Sequence, residues 1–281
     1  MGELGWEIAN WVPYLNYLTR SQGPFDKSIV WCRPGREGLY RRLNVEHFSP
    51  VTGYEDKTEG NAFVLHCPEG YDRYKAYCIE ADEHASICSD AGIDVVKARL
   101  PTKYYRYHRF KLQHREFKVL TTTEDKLNQW EGTADCQTVI FHLRHISRST
   151  KKNTPVHLYN AAAQWAKANK MSFITIGYTG EFEPKFKIHG LNLLNKTTLD
   201  DIIALYKLCG MVVGSSSGPM HLAAMTETPH VVWGGGRRDI KDRYIKDWNP
   251  FDTPVEFITT SFTFDNVKQL TSSLDKLSRR T

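Results

Sequence analysis

The run Val212-Val213-Gly214-Ser215-Ser216-Ser217-Gly218-Pro219-Met220-His221-Leu222-Ala223-Ala224 constrains the fold more than any other part of the chain. Two β-branched residues end a buried strand at Gly214, three serines make a turn of small hydroxyl side chains, and a helix opens at Gly218-Pro219. Proline suits an opening helical turn because it has no N–H to leave unpaired. A helix N-terminus carries roughly half a positive charge together with free N–H donors, so the turn is shaped to hold phosphate. Thr228-Pro229-His230-Val231-Val232-Trp233 then supplies a second strand, and Gly234-Gly235-Gly236 a glycine-rich exit. The pattern is a βαβ unit whose phosphate-sized pocket lies at the carboxyl end of its first strand.

Similar alternation continues on both sides. Upstream, Thr138 to Leu143 reads as a strand, 155–169 as an alanine-rich helix opened by Pro155, Met171 to Gly177 as a strand, and Leu199 to Cys209 as a helix capped by Thr198. A last helix is expected near Asp265 to Leu277. Strands alternating with helices of this length argue for a parallel, doubly wound α/β sheet. In the first half, residues 6–20 have apolar positions at helical spacing interrupted by Pro13; 27–32 and 61–67 read as strands, and Lys118-Val119-Leu120 as a shorter one. Polar, turn-rich sequence near 122–137 breaks the apolar pattern, which divides the chain into domains of 1–130 and 131–281.

At 281 residues, with 41% hydrophobic and 25% charged residues, the chain fits a globular protein of two ordinary domains. It has no eighteen-residue apolar run and opens without a basic region followed by an apolar stretch, so a cytoplasmic protein is expected. The six cysteines form no Cys-x-x-Cys pair, which argues for reduced thiols and against structural zinc. The formal charge of +5 is concentrated: Lys97 to Lys118 holds eight basic residues against Glu116 alone. Within it, Lys103-Tyr104-Tyr105-Arg106-Tyr107-His108-Arg109-Phe110-Lys111 interleaves cations with aromatic rings. Cations neutralise phosphates and rings stack on bases, so an anionic acceptor, saccharide or DNA, is expected at Arg106 and Arg109. The same run also suits a lipid headgroup or a half-buried strand with snorkelling arginines.

The serine turn resembles the donor-binding signature of the lipopolysaccharide heptosyltransferases, glycosyltransferase family 9, in which Val-Gly-Asn-Asp-Ser-Gly-Pro-Met-His-Leu-Ala-Ala is common. The likeness runs from Leu194-Asn195-Lys196-Thr197-Thr198 to Gly236. One departure stands inside it: where the family carries Asn-Asp, this chain has Ser215-Ser216. The resemblance implies a GT-B architecture, two Rossmann-like domains facing across a cleft, with the second domain holding a nucleoside diphosphate sugar as co-substrate. It implies a metal-independent, inverting transfer of the sugar to an acceptor hydroxyl, with no cofactor.

The candidate site follows from that reading. The donor contacts are Ser215, Ser216, Ser217, Gly218, Pro219, Met220 and His221, with Arg144 at the end of the preceding strand against the departing diphosphate. Arg148, Lys151 and Lys152 follow in the same basic loop. Met1-Gly2-Glu3-Leu4-Gly5-Trp6-Glu7-Ile8 is similar to the family's N-terminal Gly-Asp-x-Gly-Asp element, with Gly2 and Gly5 matching, Glu3 replacing the first acid and Trp6 in place of the second. Glu7, or otherwise Glu3, is the candidate base for the acceptor hydroxyl, with Gly5 beside the acceptor. Both acids equally suit a helix start. No metal-ligand pattern, Walker turn or dinucleotide glycine loop accompanies them. Two alternatives remain open: a glycosyltransferase acting on modified bases in DNA, and a catalytically silent nucleotide-sugar-binding protein.

Overall fold

The structure, a computed structural model, describes residues 4–8, 12–22, 29–32, 35–41, 47–50, 117–145, 153–179, 184–235, 238–260 and 265–279. The expected strand at 61–67 and the basic run through Arg106 and Arg109 lie outside them, as do Glu3, Arg148, Lys151 and Lys152.

In the first half the described pieces are α1 (Leu4–Trp6), α2 (Val12–Gln22), β1 (Ile29–Cys32), a 3-10 turn (Glu37–Tyr40) and β2 (His47–Pro50). β1 and β2 pair in parallel. The helical spacing expected over 6–20 is thus divided between two elements, and Pro13 falls in the opening turn of α2, where its missing N–H costs nothing.

The second half is a doubly wound unit: α3 (Glu124–Trp130), β3 (Thr138–His142), α4 (Val156–Ala168), β4 (Ser172–Gly177), β5 (Leu191–Leu194), α5 (Leu199–Leu208), β6 (Met211–Ser215), α6 (Gly218–Met225), β7 (His230–Gly235), α7 (Arg238–Asp247), β8 (Val255–Thr260) and α8 (Asp265–Ser278). The six strands lie in the order β5-β4-β3-β6-β7-β8, all parallel. The chain winds outward from β3 to β5, then returns to β6 on the other side of β3 and winds outward again. The strand order therefore reverses between β3 and β6. In open sheets of this kind that reversal opens a crevice at the carboxyl ends of the two strands, where ligands bind.

Because helices cover both faces, the central strands are apolar throughout. Ile140, Ile174, Ile176, Val212 and Val232 face a core shared with α5, α6 and four residues of the first half, Ile8, Val12, Leu39 and Tyr40. Val139, Phe141, Met211, Val213 and Val231 face α4 and α8. Such two-sided burial is the mark of a parallel sheet, and each fully buried aliphatic side chain contributes about 1.5–3 kcal/mol.

Three expectations change. Lys118-Val119-Leu120 belongs to no strand; the Leu120 amide donates to the Met225 carbonyl at 2.8 Å. Pro155 is the residue before α4 and not a member of its first turn. The polar stretch read as an interruption contains α3, which buries no residue of its own and is held instead by polar bonds to α5. Lys126 Nζ donates to Asp201 Oδ1 at 2.7 Å and Trp130 Nε1 to the same oxygen at 3.0 Å. The other carboxylate oxygen of Asp201 accepts from Thr198, closing a capping box at the start of α5.

Candidate active site

β3 and β6 bring the two sequence-predicted halves of the donor site together. His142, the last residue of β3, pairs with Gly214 on β6, so the exits of the two strands adjoin. Gly214 is required by this closeness: a Cβ there would lie 2.7 Å from Met220 Sδ and 3.1 Å from His142 Cβ. Arg144 leaves β3 with its backbone pinned, its amide donating to Thr154 Oγ1 at 2.9 Å and its carbonyl accepting from the Thr154 amide at 2.8 Å. The main chain of Arg144 is thereby fixed just past the end of β3, with its charge close enough to His142 to act on the imidazole.

The donors at the turn divide into used and available. The Ser216 amide donates to the Trp233 carbonyl at 2.7 Å, and the Met220 and His221 amides turn back to the Ser217 carbonyl at 3.0 and 3.3 Å. Ser217 directs its hydroxyl to the Ser215 carbonyl at 2.9 Å and so does not cap α6. Among the described residues, the amides of Ser217 and Gly218 meet no protein acceptor. Pro219, having no N–H, leaves that pair as the open end of the helix. The expectation that the whole turn offers bare amides is accordingly narrowed to two.

Two buried side-chain atoms at the exits of β6 and β3 also lack protein partners: Ser215 Oγ and His142 Nδ1, which strand alternation puts on opposite faces of the sheet. Ser215 is 2% exposed and His142 6%. Burial, reinforced by the nearby Arg144 charge, drives the His142 imidazole down to about 3, so it is neutral at physiological pH. A neutral ring offers one N–H and one acceptor; buried polar atoms left without partners are unusual and mark places where a ligand or water completes the set.

His221 is buried and held by rings from α7 and its exit. It stacks on Tyr244 with centroids 5.3 Å apart and meets Trp248 edge-on at 4.9 Å. Tyr244 in turn donates its hydroxyl to the Met220 carbonyl at 2.7 Å, and its oxygen lies 3.0 Å from His230 Nε2. Nothing in the local sequence of α6 announces this cage; it arises from a helix more than fifteen residues downstream.

The N-terminal segment crosses the open end of α6. A Cβ on Gly5 would lie 2.7 Å from His221 Cδ2, and one on Gly218 would lie 3.0 Å from both the Gly5 nitrogen and Leu4 Cβ. The two glycines let the backbones approach. Glu7, just beyond, is 1% exposed and fully engaged: one carboxylate oxygen takes the Arg36 guanidinium and the other the Tyr40 hydroxyl. For Glu7 to accept a proton, an acceptor hydroxyl has to reach this buried carboxylate alongside Arg36 and Tyr40 or in exchange for one of them. Among the described residues no group of His, Cys, Asp and Glu is arranged to hold a metal ion, and no helix is long and apolar enough to cross a membrane.

Residues 178–234, which include β5, α5, β6, α6 and nearly all of β7, match the model of glycosyltransferase family 9 (heptosyltransferase). The fold is shared with the ADP-heptose lipopolysaccharide heptosyltransferase II of E. coli, at 14% identity over 100% of this chain and 97% of that one, with a TM-score of 0.61. A family 9 glycosyltransferase from Veillonella parvula DSM 2008 is also similar, at 13% identity over 96% of this chain and 79% of that one, with a TM-score of 0.45. Among curated proteins none matches the chain. The chain thus resembles family 9 in the segment around the serine turn and has the α/β fold of the GT-B heptosyltransferases.

Proposed function

We propose that the protein moves a sugar from a nucleoside diphosphate sugar to an acceptor hydroxyl, with inversion and without a metal ion. One observation carries the reading: where the strand order reverses, the amides of Ser217 and Gly218 meet no acceptor among the described residues and the buried Ser215 hydroxyl has no partner, inside the segment that matches family 9. In this reading the diphosphate lies on Ser217 and Gly218, with Ser215, Ser216, Pro219, Met220 and His221 shaping the turn around it. Arg144 faces the phosphate oxygens.

As the anomeric C–O bond breaks, its electron pair passes to the departing diphosphate. Arg144 and the helix end stabilise that charge more effectively in a closed crevice than in water. The acceptor oxygen attacks the opposite face of the sugar and its proton passes to a carboxylate, assigned to Glu7 with Tyr40 exchanging for the acceptor. Glu3 is the other acid of the same segment. The Arg144 guanidinium supplies the charge a metal would otherwise supply.

Titration calorimetry with nucleoside diphosphates tests the placement. Arg144→Ala should weaken binding about tenfold or more, since a hydrogen bond to a charged group contributes about 1.5–3 kcal/mol. His221→Ala should weaken it as well. Unchanged affinity in both variants would refute the assignment. Release of the free sugar or its transfer, followed by chromatography, separates an enzyme from a silent binding protein.

A further inference from the structure

A line of three polar contacts runs from the entry of β7 to the first turn of α6, through two wholly buried side chains, His230 and Tyr244. His230 Nδ1 lies 2.8 Å from the Thr228 carbonyl. A carbonyl only accepts, so this contact puts the imidazole hydrogen on Nδ1. Burial drives His230 down to about 4, so at neutral pH the ring carries no second hydrogen. Nε2 therefore presents a lone pair to the Tyr244 hydroxyl, 3.0 Å away. Burial raises the Tyr244 phenol well above its ordinary range, so the hydroxyl keeps its proton. That one proton faces two acceptors, His230 Nε2 and the Met220 carbonyl at 2.7 Å.

The Met220 carbonyl belongs to the peptide unit that joins Met220 to His221. The amide of the same unit donates to the Ser217 carbonyl at 3.3 Å, which ties it to the two residues with open amides, Ser217 and Gly218. Tyr244 therefore grips this short segment twice. Its hydroxyl holds the peptide oxygen, and its ring stacks on the His221 imidazole, with centroids 5.3 Å apart and planes 24° apart. The ring is itself wedged against Trp248 and Phe257, at 6.2 and 5.8 Å between centroids. Two grips fix the direction of a turn, where either one alone would leave a hinge about the other.

We infer that Tyr244 is a positioning residue for the proposed donor site, holding the first turn of α6 through the Met220 carbonyl and the His221 ring. The inference rests on the proposed donor site and adds a residue that acts on it from inside the protein. His230 draws on the same hydroxyl proton, so its contacts support the fold and not the turn. Removing His230 leaves the proton wholly to Met220; removing the hydroxyl releases the peptide and keeps the stack.

The test is calorimetric titration of the full chain with ADP, GDP, UDP and CDP, with urea unfolding midpoints measured alongside. Tyr244→Phe should weaken every nucleotide that wild type binds by about 2- to 10-fold, the loss of one neutral hydrogen bond, and Tyr244→Leu should weaken them further. His230→Leu should lower the unfolding midpoint and keep affinity within about twofold. Thr175→Val is the control for stability: it removes a buried hydroxyl bonded to Tyr159 and the His189 carbonyl, and should also lower the midpoint with affinity kept. Wild-type affinity in Tyr244→Phe would overturn the positioning role and leave the donor site standing. Affinity lost in His230→Leu or Thr175→Val in step with stability would overturn it too, since binding would then follow the fold at large. A wild-type chain that binds none of the four nucleotides would overturn both readings.

Discussion

Asp201 is the most heavily bonded acid described. Burial alone would raise its carboxyl, but the bonds from Lys126, Thr198 and Trp130 outweigh burial and hold it at about 2, against an ordinary 3.8. A carboxyl depressed on folding contributes stability that is complete above its ordinary value and disappears as the pH falls toward 2. Asp201→Asn should therefore lower the urea unfolding midpoint at neutral pH and flatten its dependence between pH 4 and 2. The buried histidines act over a higher window. His142 and His230 titrate near 3 and 4 in the fold and near 6.5 when unfolded, so only the unfolded chain binds their protons in between. Stability is complete above about 6.5 and falls on acidification, by up to about 1.4 kcal/mol per pH unit for each ring. His142→Leu should reduce that slope in urea titrations between pH 4 and 6.5. Glu7→Gln removes the charge that compensates buried Arg36, a change of the kind that costs about 3–5 kcal/mol. If Glu7 also serves as the base, turnover should fall about 100-fold or more under conditions where circular dichroism shows the variant folded. Retained turnover in the folded variant would confine Glu7 to a packing role.

At the scale of elements, the crossing of Gly5 and Gly218 decides how the N-terminal segment meets α6. Gly5→Ala would press a methyl group against a ring already fixed by Tyr244 and Trp248, so His221 cannot yield without disturbing the cage. A several-fold rise in the Kd for a nucleoside diphosphate is expected, with Gly5→Ser behaving alike; unaltered binding would show that the segment can move aside. What was legible in the sequence follows the strength of the local signal. β6 and α6 were plain because β-branched residues, small turn residues and an N-terminal proline all point to one local structure. α5 was equally plain from its Thr198 cap, and the structure adds Asp201 as the partner that completes a capping box. β5, β8, α3 and α7 were not named. β5 has only four residues, two of them exposed, and α3 buries none, so neither carries the periodicity that a buried face imposes. Arg144 could be named as a candidate because a strand end is visible in sequence. His142 was hidden inside an apolar strand, and the Tyr244 cage in a helix that meets α6 only in space.

Across the whole molecule, the described residues of the first half meet the second through specific pairs. Arg41 bonds both carboxylate oxygens of Asp200, at 2.9 and 2.6 Å, and a Cβ on Gly38 would run into the same side chain. Ile8, Val12, Leu39 and Tyr40 enter the core beneath α5 and α6. Because the Arg41 pair is partly exposed, Arg41→Ala should change overall stability by about 1 kcal/mol or less, as urea melts would register. Gly38→Val should cost more than Arg41→Ala by the same measure, because its side chain has no room beside Asp200.

The stretch from Leu120 to Trp130 is stitched at both ends, to the carbonyl of Met225 and to the carboxylate of Asp201. Severing the polypeptide after Trp130 would strip Asp201 of two donors and free the exit of α6. A cut ahead of Phe117 would leave every one of those ties in place. Anyone dissecting this protein into halves should therefore expect the piece starting before Phe117 to outlast, under protease, the piece starting at Glu131.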